Sequence, residues 1–197
     1  MRDDTETIRQ HLYSELAHLY GTWQLLKQLF GESEERVDLM NRTAASCFWV
    51  IEQALLADLC VRLSRLADQG GKGHQTSLTI ERVLDLPCCT NNLALHRDLT
   101  KQIEYVKTIC EPIRQHRHTA LAQGDLATPM KPERLPGDLE QGIEQALQAL
   151  VGIWNTIERK LESTVTDFTR VTYAGGDGEA LIRALERAEE RRIHERV

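Results

Sequence analysis

The sequence predicts an all-α fold, an antiparallel bundle of long helices, and three observations carry that prediction. Apolar residues recur at steps of three and four through successive long segments, the pattern of helices with one buried stripe. Glycine and proline clusters separate those segments where the chain must turn. No β-rich stretch and no internal repeat interrupts the pattern.

The first helix is expected from about Thr5 to Phe30, with Ile8, Leu12, Leu16, Leu19, Trp23, Leu26 and Phe30 on one face, and Gly31 and Ser33 ending it. A second pattern runs from Glu34 to about Ala67 through Val37, Met40, Ala44, Cys47, Ile51, Leu55, Leu59, Leu63 and Leu66. A helix that long spans the bundle or extends a partner contact. The glycines of DQGGKGHQTS, residues 68–77, stop it. GGKG there does not match the G-x-x-x-x-G-K-[ST] phosphate loop and follows no strand, so a plain loop is expected. Ser77 is placed to cap a short helix through Leu86, with Glu81 near its positive end and Pro87 closing it.

Asn91 offers a cap for the next helix, whose stripe is Leu95, Leu99, Ile103, Val106, Cys110 and Ile113. Pro112 lacks an N–H and should kink that helix near its end. Pro129, Pro132 and Pro136 then predict a mobile crossover over 124–137. Asp138 is the expected cap of a long helix with Leu139, Ile143, Leu147, Leu150, Trp154, Ile157, Leu161, Val165 and Phe168 on its buried face. Gly175, Gly176 and Gly178 end this region. A charged last helix over 177–197 is expected to bury Leu181, Leu185 and Ala188, with Glu179 and Arg183 a favourable pair and Arg187 and Arg191 a repulsive one.

At 197 residues and 22.5 kDa, one helical domain over 1–197 is expected. Hydrophobic residues at 41% and charged residues at 27% exclude disordered and fibrous classes. No apolar run approaches bilayer length, and the start, MRDDTETIRQ, is acidic and polar where a secretory signal is basic then apolar. A cytoplasmic protein without a membrane partner follows as the expectation. Cys47, Cys60, Cys88, Cys89 and Cys110 form an odd set without a C-x-x-C pair, which points to reduced, mostly buried thiols. The net charge of −6 argues against a basic coat for indiscriminate nucleic-acid binding and leaves a local basic patch open.

Such a patch stands at the end of the fourth segment, where Arg114, His116, Arg117 and His118 fall within five residues. Arginine brings a permanent planar charge with several donors, and histidine exchanges protons near neutral pH. Together these are what phosphodiester cleavage needs. The other reading is that cations near a helix C-terminus complement its dipole.

The run Arg117-His118-Thr119-Ala120-Leu121-Ala122-Gln123 resembles the signature of the HEPN superfamily: an arginine, a polar residue, a short spacer, then a histidine. Arg62-Leu-Ser-Arg-Leu-Ala-Asp68, the Arg117 segment, and Tyr173 with Asp177-Gly-Glu-Ala-Leu-Ile-Arg-Ala-Leu185 resemble the AbiU-type abortive-infection branch, in matching order along most of the chain. The resemblance implies an all-α bundle, usually dimeric, in which two Arg/His motifs face one another and active members cleave RNA without a metal or other cofactor. By that resemblance Arg117 holds the scissile phosphate and His118 or His116 moves protons. Arg114 and Gln123 contact RNA, and Arg65 and Asp68 stand behind the motif.

One departure matters. Where the family pattern has histidine this chain has Gln123, an amide that hydrogen-bonds but cannot act as a general acid or base. His118 points about 100° away from Arg117 on a regular helix, and His116 shares the angular strip of position 123 but lies about 10 Å along the axis. Arg187 to His194 repeats the spacing outside the position the resemblance assigns. A zinc site from Cys88, Cys89, His116 and His118 lacks finger spacing, so no metal is expected. Two functions follow from the resemblance. One is a phage-defence or toxin–antitoxin protein that cleaves or binds RNA, with an antitoxin or other defence protein as partner. The other is a catalytically inactive bundle for protein interaction and dimerisation.

Overall fold

Helices carry most of the described residues, and no strand occurs among them. The structure, a computed structural model, describes residues 2–68, 79–122 and 131–195, with the side chains of 2–4 and 116–122 outside that description. Helix α1 (Arg2–Leu26) buries Leu12, Leu16, Leu19, Trp23 and Leu26 as its periodicity predicts. It then widens into a π-helical turn, Lys27–Gly31, that buries Phe30. Ser33 caps α2 (Glu34–Ala67) by accepting the N–H of Arg36 at 3.3 Å.

Helix α2 has the predicted bounds and buries most of the predicted face, with a departure around Ala44. Ala44, at φ −160° and ψ 66°, leaves helical geometry and breaks the 100° progression. Ala44 and Cys47 are therefore exposed, and Phe48 and Glu52 are buried in their place. The stripe rejoins the prediction at Leu59, Leu63 and Leu66.

The loop at 69–78, including Ser77, lies outside the described residues. A 3-10 helix, Ile80–Asp85, follows and ends at Leu86 directly before Pro87, which also opens the short helix α3 (Pro87–Thr90), because a missing N–H is harmless at a first helical position. Asn92, one residue past the expected cap, accepts the N–H of Leu95 at 3.1 Å at the start of α4 (Leu93–Ala122). All six predicted stripe residues of α4 are buried. The helix runs on through Pro112, which is exposed, and a residue outside helical geometry occurs in α2, at Ala44, where no proline stands.

Half of the expected crossover, 124–130, lies outside the described residues. Residues 131–136 run non-helically along α2: Asn41 donates to the Pro132 carbonyl at 3.3 Å, Glu52 accepts the N–H of Glu133, and the Leu135 N–H reaches the Phe30 carbonyl at 3.4 Å. Helix α5 (Gly137–Leu161) starts without a side-chain cap, and Asp138 acts in its first turn on the helix dipole. The helix stops at Leu161, earlier than its apolar pattern suggests, and Val165 is exposed. Phe168 returns on a separate 3-10 turn and packs against Tyr13, Tyr20 and Trp154, with ring centroids 5.3, 5.9 and 6.2 Å away.

Asp177 caps α6 (Gly178–His194) by accepting the N–H of Ala180 at 3.0 Å. Ile182 is the side chain that α6 buries; Leu181 and Ala188 are exposed and Leu185 is half-buried. The first turn of α6 is fixed by hydrogen bonds, and Arg42 of α2 holds Glu189 further along at 3.1 Å. The Gly178 N–H donates to Gln28 Oε1 at 2.9 Å, Gln28 Nε2 donates to Asp177 at 3.1 Å, and Arg36 bridges the Gln28 carbonyl at 2.7 Å to Glu179. A Cβ on Gly178 would stand 2.8 Å from the Gln28 Cβ. Gly178→Ala is therefore expected to cost about 1–2 kcal/mol, as overpacking at a tight contact does, and to expose α6 to limited proteolysis before the rest of the bundle.

Candidate functional site

The end of α4 is tied to the end of α2 by Arg114. Its Nη2 donates to the Ala67 carbonyl at 2.7 Å and lies 3.2 Å from Asp68 Oδ1, while Nη1 reaches Glu111 at 3.2 Å. The Ala67 carbonyl sits in the last turn of α2, where backbone acceptors lack intrahelical donors, so a guanidinium is a natural partner. The Arg114 Nε is buried and makes no hydrogen bond among the described residues. Sequence reasoning gives Arg114 an RNA contact and sets Asp68 behind the motif. In the structure both belong to one clamp between α2 and α4.

Arg65 points the other way, toward Glu15 of α1. Arg62 makes two bonds to Glu15, each 3.1 Å, and one to Asp58 at 2.7 Å. His18 Nε2 completes the row at 2.8 Å from Asp58, with the Thr22 hydroxyl 3.4 Å away. Burial alone would push the Asp58 carboxyl up, but the hydrogen bonds from Arg62 and His18 outweigh it and hold the group below the usual range. The Arg62–Asp68 segment thus splits into two roles: Arg62 and Arg65 lock α2 to α1, and Asp68 helps lock it to α4. Sequence reasoning did not single out Glu15, Asp58 or His18. Asp58 with Arg62 is a readable four-residue pair, but the reach from α1 to α2 has no local signal.

Arg117 follows Arg114 by three residues, so its backbone lies about 4.5 Å further along the axis, within the last two turns of α4. His116 and His118 flank it on the same helix. The side chains of these three residues, and the whole of Gln123, lie outside the described residues. The backbone therefore places Arg117, His116 and His118 on a helical end fixed by the Arg114 clamp.

Tyr173, the other residue of the resemblance, packs on α1: a Cβ on Gly21 would stand 2.7 Å from its hydroxyl. Burial pushes the Cys89 thiol up to about 12 and the Cys110 thiol up to about 11, so both stay protonated and neither is a thiolate nucleophile at neutral pH. Among the described residues no three His, Cys, Asp or Glu side chains converge as a metal site requires. Three cavities of about 220 to 320 Å³ line α1, beside Pro87, Glu144 and Glu158 respectively, and none of these is lined by Arg65, Asp68 or Arg114.

No curated protein and no solved structure matches this chain. The sequence profile of the HEPN AbiU2 family, described as AbiU2, matches residues 2–180, from the start of α1 to the first turn of α6. That span takes in the locked Arg62–Asp68 segment, the α4 end and Tyr173, and it ends within the Asp177–Leu185 stretch of the resemblance. With this match over nearly its whole length, the chain belongs to the AbiU2 family of HEPN-type, abortive-infection proteins.

Proposed function

We propose that this chain acts in phage defence or as part of a toxin–antitoxin pair, by holding RNA at the end of α4 and cleaving it without a metal. Arg117 grips the scissile phosphate, and His118 or His116 moves the proton of the attacking 2′-hydroxyl or of the leaving oxygen. Gln123 contributes a hydrogen-bond donor to the strand, and Arg114 positions the helical end that carries the motif. An antitoxin or another defence protein is the expected protein partner. The observation that carries the reading is the concentration of two arginines and two histidines on one helical end that Arg114 clamps to the Ala67 carbonyl. A positioned cation and a positioned imidazole are worth more to catalysis than mobile ones.

The test is incubation of the purified protein with single-stranded and structured RNA under a chelator. Wild type is expected to cleave single-stranded RNA, and Arg117→Ala to lower the rate by about tenfold or more. Cleavage unaffected by that substitution would remove Arg117 from the chemistry. A second reading, an inactive bundle that serves interaction and dimerisation, is favoured by the amide at Gln123. It predicts no turnover by wild type and a gain of cleavage in Gln123→His.

A further inference from the structure

Two of the cavities along α1 are built alike and differ in one respect. Each is lined by a tyrosine, a tryptophan, and a basic side chain paired with a glutamate of α5. In the Glu158 cavity, of about 270 Å³, the Trp154 indole N–H donates to the Thr166 hydroxyl at 3.0 Å, so its polar groups are matched within the protein. In the Glu144 cavity, of about 220 Å³, the Trp23 indole N–H and the Tyr20 hydroxyl hydrogen-bond to no group among the described residues. Trp23 is 5% exposed and Tyr20 8%. Aromatic side chains buried that deeply ordinarily find partners for their polar ends. Neither polar atom is sealed in the core, so each opens into the cavity that its side chain lines.

The surrounding charges select a neutral occupant. Burial pushes the Tyr20 hydroxyl up to about 12, and the charges of Asp167 and Glu144 push the same way, so the hydroxyl stays a donor and an anion would meet a negative field. A cation would have to displace Lys27, which is bonded to Glu144 and lies 6.0 Å from the centre of the Trp23 ring. The volume falls below the range of about 300–1,000 Å³ that holds drug-sized ligands, which leaves room for one small ring system. Gln24 donates its amide N–H to the Thr169 carbonyl and keeps Oε1 as an acceptor.

We propose that the Glu144 cavity binds a nucleobase, whose acceptors take the Tyr20 O–H and the Trp23 N–H and whose amino or ring N–H donates to Gln24 Oε1. A base edge carries acceptors and donors side by side, and proteins hold unstacked bases with aromatic side chains and hydrogen bonds of this kind. The base belongs to a free nucleoside or to an unpaired position of an RNA strand, with its sugar left outside. The inference goes beyond the cleavage reading of the α4 end and does not rest on it, because nucleosides offer no bond to cleave.

Protein carrying isotope-labelled tryptophan gives three indole N–H signals in nuclear magnetic resonance, from Trp23, Trp49 and Trp154, and Trp23→Phe assigns the first by its loss. Titration with adenosine, guanosine, cytidine and uridine is expected to move the Trp23 signal with at least one of them. Trp154, already bonded to Thr166, should stay in place. Tyr20→Phe is expected to weaken that binding by about fivefold to tenfold, the usual contribution of one hydrogen bond. Its helical circular dichroism should match wild type, since the lost hydroxyl holds no described protein group. Gln148→Trp, at an exposed position on the rim, should fill the entrance and abolish the shift. A Trp23 signal that moves with single-stranded RNA alone, and not with the abasic strand, assigns the base to a strand. A Trp23 signal unmoved by all four nucleosides and by RNA overturns the proposal, as does binding that Tyr20→Phe and Gln148→Trp both leave unchanged.

Discussion

Glu52→Gln is expected to flatten the pH dependence of stability and to leave the variant more stable than wild type at pH 8 by about 3 kcal/mol. Glu52 is buried, and desolvation pushes its carboxyl up to about 7, with the Glu133 N–H pulling down and the Glu133 charge pushing up. In an unfolded chain the same group titrates at about 4.3. The folded state therefore holds the proton more tightly. The stability this gives is fully present below about pH 4, declines as pH rises, and is lost once pH passes about 7. The amide introduced by the substitution is neutral at every pH and can still accept the Glu133 N–H through its oxygen. Urea unfolding across pH 5 to 8 checks this. Parallel slopes for the two proteins would show that Glu52 ionises in the fold at its ordinary pH. The contact matters to the site because Glu133 follows the crossover that leaves α4, and Glu52 and Asn41 hold the two sides of one peptide unit there.

Arg9→Met is expected to destabilise the bundle by about 3 kcal/mol, the usual cost of leaving a buried charge without its partner. Arg9 joins α1 to α5: Nε and Nη2 bond the two oxygens of buried Glu158 at 3.1 and 3.3 Å, and Nη2 reaches Glu162 at 2.7 Å. Without the guanidinium, Glu158 retains the Thr164 hydroxyl at 3.4 Å. Adding Glu158→Leu should recover most of the loss, because an apolar pair in the same space carries no desolvated charge. Equal unfolding midpoints for Arg9→Met and wild type would mean that the pair contributes nothing net.

Where helices are regular, the buried face was readable from spacing alone. Leu95 to Ile113 on α4 and Ile143 to Ile157 on α5 keep a constant phase, so apolar residues at three and four identify the inside. Spacing fails around Ala44, because one residue outside helical geometry disturbs the phase locally, and no side chain there announces the break; the predicted face is buried again by Leu59. Caps were readable only in part: Asn92 takes the place expected of Asn91, Asp138 makes no cap bond, and Ser33 and Asp177, read only as helix boundaries, act as caps. Pro112 stands within α4 without ending it, since a proline on the solvent side of a long helix loses one hydrogen bond only.

At the site, the residue types were legible and their partners were not. Arg62, Arg65 and Asp68 read as one polar helix end, yet Glu15, 47 positions before Arg62, takes the two arginines, and Arg114 takes Asp68. Such pairs depend on how helices are arranged, which periodicity does not encode. Arg114 shows the consequence most clearly. Its sequence neighbourhood suggests a ligand contact, while its geometry fixes the backbone that carries Arg117.

RNA is expected to meet this protein at the last two turns of α4, and photo-crosslinking tests that most directly. Single-stranded RNA carrying 4-thiouridine, irradiated with the intact protein and digested, is expected to label a peptide within residues 113–123, with labelling reduced in Arg117→Ala. Labelling confined to α1 or α6, unchanged by that substitution, would contradict it.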